Sequence, residues 1–496
     1  MDLHSTGWAT HVGALMHEYH VPGLAIAIVN NGSVSSKGFG NASLSPLTPC
    51  TADTVFEIAS SSKSFTAASV ALLVDDNANF PEVQYESTMS SLLPDDFVMS
   101  DPEYTKNVTV ADLLGHRSGL PGHDYSYMSP RATHPDDARS ITRNLRNLPV
   151  AAPVRSTYIY CNIMYTVLSY LVEVKSKLGW SDFLDKYFFG PLDMQSTAYQ
   201  PSGARAKNLE DRLAMSYYWD EEKSEYLSIY TAEDPEAQGA GGIFTSVNDF
   251  IKWVEALMNH PGVPINDNMY RGLLEMRTFS NPGSENLDPY TSTTFYTAGL
   301  EIYYYKGYAV VDHDGHDNGW GSYFFFVPDL HFGAVIFGNS DGAYPLSAYL
   351  AKELVHEVVD AKSSERNTMD WQLAHALVLN RTESKDEPPA STPLPQETPI
   401  GTYVGKYSNQ GYHEMVVEIK DGSLFVNATE RSMGFTLTFE HIANQTEYIA
   451  HLSDWQEGGD DPLKAIFVFE GDHVVKMGLD LEPDLQGLIW FDKVTE

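Results

Sequence analysis

The sequence predicts an α/β (α+β) protein in two parts, an antiparallel sheet flanked by helices and a C-terminal antiparallel β-barrel. Three observations predict this architecture. Residues 1 to about 365 mix helix and strand signals, a proline-rich segment then interrupts the chain, and the last hundred residues alternate apolar and polar side chains. A length of 496 residues also fits two or three domains. We expect domains at 1–365 and 400–496, joined by a helix and linker at 366–399.

The N-terminal part contains a marked strand pair and a marked helix. The segment VPGLAIAIVNNGSVSSKGFG indicates two strands around an Asn-Gly turn. Residues Ser246 to Met258 are predicted to form a helix, because Ser246 and Asp249 can form a capping box and the apolar side chains fall on one face. We expect a sheet with helices packed against it.

The chain changes character after a helical segment, TMDWQLAHALVL. Residues 382–399, TESKDEPPASTPLPQETP, hold five prolines in twelve residues and predict a semi-rigid linker. Seven or eight short strands follow, which indicates a small closed barrel. Two sets of alternating apolar residues mark its strands: Met415, Val417 and Ile419, and Phe435, Leu437 and Phe439.

The net charge of the chain argues against two classes of binding partner. The chain carries 67 acidic residues against 31 basic ones, a net charge of −36. Nucleic acid and anionic membrane surfaces repel such a field, so neither is an expected partner. The expected partner is a small-molecule or short-peptide substrate, and a homo-oligomer remains open. The two cysteines, Cys50 and Cys161, exclude a disulfide framework.

The N-terminal residues give an expectation for the compartment. No lysine or arginine precedes Lys37, so the basic region of a signal peptide is missing. The early apolar run VPGLAIAIV is too short to span a bilayer. We expect a cytoplasmic enzyme; the alternative is a secreted protein whose leader has been removed.

A serine and a lysine stand three residues apart at the entry to an apolar helical run. They are Ser60 and Lys63, in FEIASSSKSFTAASVALLV. Residues at i and i+3 share a helix face, so the amine can reach the hydroxyl. The peptide dipoles near a helix N-terminus favour loss of a proton from Lys63. The arrangement fits an activated serine nucleophile with no neighbouring histidine; a chance pair at a polar helix start is the alternative.

A Y-x-N segment is the second element of the candidate site. Tyr160 and Asn162 open the apolar run IMYTVLSYLVEV. A phenol held beside Lys63 could exist as a phenolate and relay the serine proton, while the amide of Asn162 could orient the amine and a substrate carbonyl. A second Y-x-N begins at Tyr407, beyond the linker, and is predicted to be structural.

A histidine segment is the third element. His313, Gly315 and His316 lie between the strand YAVVD and the apolar strand YFFFVPD, in a glycine-rich stretch. Glycines there let the backbone approach a substrate, and strand amides can donate to an oxyanion. Two further H-x-G segments begin at His11 and His260. The alternatives for His313 and His316 are turn histidines or a metal pair; no third and fourth ligand stands at zinc spacing, so we expect no metal or other cofactor.

Together these segments resemble the serine beta-lactamase-related family, which includes class C beta-lactamases, D-alanyl-D-alanine carboxypeptidases, D-aminopeptidases and related esterases. The matching segments occur in family order over residues 10 to about 360: FEIASSSKSFTA, TVADLLGHRSGLPG, YIYCNIMYTVLSYLVE, GAGGIFTSVNDF, HDGHDNGWGSYFFFVPD and FGNSDGAYP. The resemblance implies a beta-lactamase-like serine hydrolase domain at 1–365. The barrel at 400–496 is similar to the lipocalin-like domain of some D-aminopeptidase-type members.

The resemblance also implies roles for the catalytic residues. Ser60 is implied to be the acylated nucleophile, and Lys63 and Tyr160 are implied to share the acid and base work. Asn162 is implied to bind Lys63 and the substrate amide.

The histidine segment takes the substrate-binding positions of the family. His313 stands where the lactamases have a lysine and Gly315 where their motif has its glycine, and the amides of Ser60 and His316 are implied to form the oxyanion hole. A largely neutral histidine attracts a substrate carboxylate less than a lysine does, so efficient beta-lactam hydrolysis is not expected.

The expected function is hydrolysis of an ester or amide through an acyl-enzyme on Ser60. One alternative is an acyltransferase of the same family, a type that occurs in fungal natural-product biosynthesis. The other is a non-catalytic scaffold that presents the barrel to a partner.

Overall fold

A computed structural model describes residues 2–281, 287–361 and 395–495. These residues form twelve α-helices. The helices are α1 (Thr6–Glu18), α2 (Lys63–Asp75), α3 (Met89–Leu92), α4 (Pro102–Asn107), α5 (Val110–Leu114), α6 (Ala138–Asn144), α7 (Asn162–Ser176), α8 (Trp180–Leu184), α9 (Gln200–Ala206), α10 (Val247–Asn259), α11 (Asp267–Leu273) and α12 (Ala343–Asp360).

The strands fall into a large sheet, a barrel and two small sheets. Those before the barrel are β1 (Gly23–Asn30), β2 (Ser33–Leu44), β3 (Leu47–Pro49), β4 (Phe56–Glu57), β5 (Ala198–Tyr199), β6 (Ser216–Asp220), β7 (Glu225–Ile229), β8 (Ile243–Thr245), β9 (Thr278–Phe279), β10 (Phe295–Tyr296), β11 (Glu301–Tyr305), β12 (Tyr308–Asp317), β13 (Trp320–Val327) and β14 (Phe332–Gly338). Those of the barrel are β15 (Gly405–Asn409), β16 (His413–Lys420), β17 (Ser423–Ala428), β18 (Phe435–Ala443), β19 (Glu447–Asp454), β20 (Gly458–Glu470), β21 (His473–Leu479) and β22 (Ile489–Lys493).

The large sheet has nine strands in the order β3-β2-β1-β14-β13-β12-β11-β10-β9. Its pairs are antiparallel, and β1 and β2 meet around the predicted Asn-Gly turn, where Asn31 and Gly32 both have positive φ. Strand β1 is buried on both faces: Ala25, Ala27 and Val29 belong to one core cluster. Leu24, Ile26 and Ile28 belong to a second cluster, which also contains residues of α1 and α12. Burial on both faces explains the unbroken apolar run of this strand.

The predicted helix near residue 250 is α10, and only half of its capping box forms. Ser246 accepts a hydrogen bond from the Asp249 amide at 3.2 Å. The Asp249 carboxylate instead accepts from the amide of Ser196 and the hydroxyl of Thr197, at 2.6 and 3.0 Å. The side chain that was expected to cap its own helix therefore anchors a neighbouring loop.

The C-terminal region is a closed barrel of eight strands, in sequential order from β15 to β22. Strand β15 pairs with both β16 and β22, which closes the sheet and removes its edges. Of the six alternating apolar residues that marked barrel strands in the sequence, five are buried. The exception is Ile419, which is 47% exposed near the end of β16. The predicted helix and most of the predicted linker lie outside the described residues.

The barrel packs directly on the N-terminal part of the chain. Arg431 is fully buried at this contact, and its guanidinium donates to the carbonyl oxygens of Tyr125 and Tyr412 at 2.7 and 2.6 Å. The His123 amide donates to the Glu482 carboxylate at 2.6 Å. No helix of the described ranges is long and apolar enough to cross a bilayer.

Candidate active site

Ser60 lies in a tight turn between a strand and a helix. Strand β4 ends at Glu57, a 3₁₀ turn covers Ala59–Ser62, and α2 begins at Lys63. Ala59 has a φ of 45°, in the left-handed region that costs a residue with a Cβ. Ser60 is therefore held in a 3₁₀ turn, where the sequence predicted a position on the helix itself.

Lys63 is the centre of the hydrogen-bond network. Its Nζ lies 2.9 Å from Ser60 Oγ, 2.7 Å from Asn162 Oδ1 and 2.9 Å from the carbonyl oxygen of Ala240. Burial lowers the pKa of Lys63 to about 7 against the raising effect of nearby carboxylates, the first of them Asp124. Burial therefore makes the amine able to give up its proton near neutral pH.

Tyr160 contacts the same hydroxyl from the other side. Its hydroxyl donates to Ser60 Oγ at 2.8 Å, and Lys63 Nζ lies 4.8 Å from the centre of its ring. Burial raises the pKa of Tyr160 well above its ordinary value. The resting side chain is therefore a phenol, not the phenolate that the sequence suggested.

Asn162 connects Lys63 to a carboxylate that the sequence did not mark. It opens α7, and its Nδ2 donates to Asp124 Oδ1 at 3.1 Å while its Oδ1 accepts from Lys63. Burial raises the pKa of Asp124 above its ordinary value. Asp124 lies in a short 3₁₀ turn with no neighbouring sequence signal, so spacing alone could not find it.

The histidine segment lies on β12, beside Ser60. A Cβ on Gly315 would stand 2.3 Å from the Ile58 carbonyl oxygen and 3.0 Å from the Ser60 amide nitrogen, so only glycine fits. The neighbouring strand holds the turn as well, because the Ser322 hydroxyl donates to the same Ile58 carbonyl at 2.7 Å. The close approach brings the strand that carries His316 next to the amide of Ser60.

His313 is buried and neutral. Its Nδ1 lies 2.6 Å from the Asp314 carbonyl oxygen, which can only accept, so Nδ1 carries the proton. Its Nε2 then accepts from the hydroxyl of Tyr296 at 2.9 Å. Burial lowers the pKa of His313 to about 4, so the side chain carries no charge at neutral pH.

His116 is a site residue that sequence reasoning missed. Its ring centre lies 4.3 Å from that of Tyr160, and its Nδ1 accepts from the Cys161 amide at 3.1 Å. Burial lowers the pKa of His116 well below its ordinary value, and the charge of Lys63 adds to this effect. Its segment, TVADLLGHRSGLPG, was recognised only as a whole, with no residue singled out.

The competing segments lie elsewhere. Tyr407 is buried in the barrel, where its hydroxyl donates to the Tyr403 carbonyl at 2.6 Å. His11 lies on α1 and pairs with Glu353, and His260 ends α10. Among the described residues, no group of three or more His, Cys, Asp or Glu side chains is placed to hold a metal ion, and Cys50 and Cys161 are free thiols.

Two cavities meet at Ser60, Asn162 and His316. The larger, of about 500 Å³, extends to the barrel, and residues 432–435 and 454–461 form part of its wall. The smaller, of about 370 Å³, contains Tyr160 and His313. Ser60 thus lines both cavities, and the barrel forms part of the wall of the larger one.

Comparison with known proteins finds two family models that match the chain. The family model described as Beta-lactamase matches residues 8–357, and one described as a domain of unknown function (DUF3471) matches 389–493. An unguisins hydrolase from Aspergillus campestris is 30% identical over 97% of this chain and 89% of its own length.

Two solved structures share the fold. The octameric penicillin-binding protein homologue from Pyrococcus abyssi has a TM-score of 0.62 at 18% identity, and the match covers 99% of this chain and 100% of that one. The D-amino acid amidase from Ochrobactrum anthropi has a TM-score of 0.56 at 21% identity, over 71% of this chain and 99% of that one.

Proposed function

Because this chain belongs to the beta-lactamase family, we propose that it is a serine hydrolase that cleaves an amide or ester through an acyl-enzyme on Ser60. One observation carries the proposal: Ser60 Oγ is hydrogen-bonded at once to Lys63 Nζ and to Tyr160 Oη, at 2.9 and 2.8 Å. A serine hydroxyl is a weak nucleophile until a neighbouring base accepts its proton. Two titratable groups on one hydroxyl supply both that base and an acid.

The first half-reaction follows from the proton positions. Neutral Lys63 donates to Asn162 Oδ1 and the Ala240 carbonyl, so its lone pair faces Ser60. Lys63 accepts the Oγ proton as Oγ bonds to the substrate carbonyl carbon. The amides of Ser60 and His316 donate to the resulting oxyanion.

The same groups complete the reaction. Tyr160 donates its proton to the leaving nitrogen or oxygen of the substrate as the substrate's C–N or C–O bond breaks. Lys63 then returns a proton to Tyr160. A water molecule then attacks the acyl-enzyme with the same groups in reversed roles, which releases the acid and restores Ser60.

The relatives favour an amide as the bond that is cleaved. The similar fungal protein is named an unguisins hydrolase, and a structural neighbour is a D-amino acid amidase. We propose an amide of a small peptide-like molecule as the substrate class. Transfer of the acyl group to an alcohol or amine is the alternative of the same chemistry, and product analysis separates the two.

His313 disfavours a beta-lactamase activity in particular. Because burial keeps the pKa of His313 near 4, this position offers no permanent cation for a substrate carboxylate. We therefore expect esters and amides to be better substrates than anionic beta-lactams.

Labelling tests the proposal directly. A fluorophosphonate probe should add to Ser60, as read by mass spectrometry of the digested protein, and Ser60→Ala should abolish both the adduct and turnover while the circular dichroism spectrum is unchanged. Ser62→Ala is the matched control, because this neighbouring side chain is buried in the same turn. An adduct on another residue, with Ser60→Ala still active, would refute the proposal.

A further inference from the structure

The larger cavity beside Ser60 is strongly acidic. Ten of its lining residues are aspartate or glutamate, and one, Arg131, is a permanent cation. Both domains contribute carboxylates: Glu57, Asp234 and Asp317 come from the hydrolase domain, and Glu457 comes from the barrel. The one arginine is already engaged by the barrel.

The positive charge of Arg131 is already engaged in contacts with the barrel. Its guanidinium donates to the carbonyl oxygens of Thr429 and Arg431, at 3.1 and 2.7 Å, and lies 4.4 Å above the ring of Trp455. Arg131 therefore serves the domain contact and covers an aromatic wall of the cavity.

Two buried carboxylates in this wall each have an oxygen without a partner. Glu57 is 4% exposed; its Oε1 accepts from the Gly242 amide at 3.0 Å, and its Oε2 has no hydrogen-bond partner among the described residues. Glu236 is fully buried; its Oε1 accepts from the Ser432 hydroxyl, and its Oε2 likewise lacks a partner within the described ranges. A buried carboxylate oxygen without a donor is costly, so these atoms indicate a ligand that donates or carries positive charge.

We propose that this cavity binds a cationic group of the substrate, a protonated or quaternary amine, next to Ser60. The inference deepens the proposed function and rests on it, because it identifies the substrate class of the same site. The cavity is suited to a cation by its charge and by the two buried carboxylate oxygens that lack partners among the described residues. The carboxylates would repel an anionic substrate here.

The titration of the wall supports this assignment. Burial raises the pKa of Glu57 well above its ordinary value, and the charges of Asp317 and Asp234 raise it further. Burial also raises the pKa of Glu236 to about 7 and, with the charges of Asp341, Asp454 and Asp317, that of Glu457 to about 8. Protons therefore neutralise part of the wall when no cation is bound, and a bound cation would replace them.

Matched substrates test the proposal without changing molecular shape. The 4-nitrophenyl esters of 4-trimethylammoniobutanoate and 5,5-dimethylhexanoate differ only by N⁺ in place of C. In this pair, the charge of the cationic member lies on the acyl side of the ester. Butyrylthiocholine and its 3,3-dimethylbutyl thioester isostere place it on the leaving side. We expect kcat/KM for the cationic member of at least one pair to exceed that of its isostere by about tenfold or more.

Charge-neutralising variants show which residues cause the preference for the cationic substrate. Asp317→Asn and Glu457→Gln should each reduce the preference several-fold, and Glu57→Gln should do the same where it folds. The exposed turn residue Asp472 does not line the cavity, so Asp472→Asn, which makes the same change in net charge as each of the three, should leave the preference unchanged. A preference that survives all the cavity variants, or no preference in either pair, would overturn the proposal.

A binding measurement separates this inference from the proposed function. Calorimetric titration of the Ser60→Ala variant with 4-trimethylammoniobutanamide and with 5,5-dimethylhexanamide needs no turnover. Tighter binding of the cation, lost in Asp317→Asn, supports the subsite even if no ester is hydrolysed. Equal binding of the two amides refutes it even if Ser60 is acylated normally by the neutral esters.

Discussion

In the proposed mechanism, Lys63 sets the pH range of the reaction. Its amine would have to be neutral to accept the proton of Ser60, and its pKa lies near 7 because burial disfavours the charged form. Asp124 opposes that effect by stabilising the ammonium. The fraction of neutral Lys63 therefore rises as pH rises through about 7.

We expect kcat/KM for a neutral ester to rise with pH and to level off above a midpoint near 7. Asp124→Asn removes a negative charge that raises the pKa of Lys63, so the midpoint should move to lower pH. The pH–rate profile of purified protein measures it, and Asp472→Asn should leave the midpoint in place. A midpoint that moves upward in Asp124→Asn would contradict this account.

Tyr160 and Lys63 should behave as one unit, because both contact a single hydroxyl. Tyr160→Phe or Lys63→Met should each lower kcat by about 10² to 10⁴, the usual range for acid–base groups. The double variant should be hardly slower than the slower single one. Tyr407→Phe, in the other Y-x-N segment, is the matched control and should retain activity; losses that multiply would show separate roles.

At the scale of elements, the pairing of the 3₁₀ turn with β12 keeps Ser60 in place. Gly315→Ala would push a Cβ to 2.3 Å from the Ile58 carbonyl oxygen. We expect labelling of Ser60 to slow at least about tenfold and the melting temperature to fall, since backbone must move. Gly13→Ala is the control: its Cβ meets nothing within 4 Å on α1, so it should label normally and melt slightly higher. Normal labelling of Gly315→Ala would show that the contact is unimportant.

The elements that the sequence could predict are those marked by residues close together in the chain. The Asn-Gly turn, α10, a closed barrel of seven or eight strands and the placement of Asn162 at the start of α7 all follow from periodicity and turn or cap residues. The turn at Ser60, the neutral state of Tyr160 and the position of Asp124 depend on burial by distant segments. No spacing of residues along the chain carries that information.

At the scale of the whole molecule, the barrel is joined to the hydrolase domain by buried polar contacts at Arg431, Glu236 and His123. Yet the hydrogen-bond partners of Ser60 and Lys63 come from residues before the barrel. We therefore expect the barrel to form part of the cavity wall without supplying a reacting group.

A chain ending at Asp386 should still be labelled at Ser60 by a small neutral probe. Its melting temperature should fall, because the contact surface around Arg431 loses its partner. Discrimination between the cationic and neutral esters should weaken, since Glu457 is removed with the barrel. Mass spectrometry measures the labelling, near-ultraviolet circular dichroism measures the melting temperature, and kcat/KM for the matched esters measures the discrimination. A truncated chain that is folded but is not labelled would show that the barrel completes the catalytic centre.

One of the two parts of the barrel that reach the cavity is a hairpin end, residues 454–461, where β19 ends and β20 begins. Hairpin ends tolerate insertion, deletion and substitution far better than the strands that hold them. Selection can therefore alter what enters the cavity by changing one loop, while the proposed nucleophile and proton relay stay unchanged outside the barrel. Such a division lets new substrate preferences arise without loss of the chemistry, and the same loop is the natural target for a laboratory library.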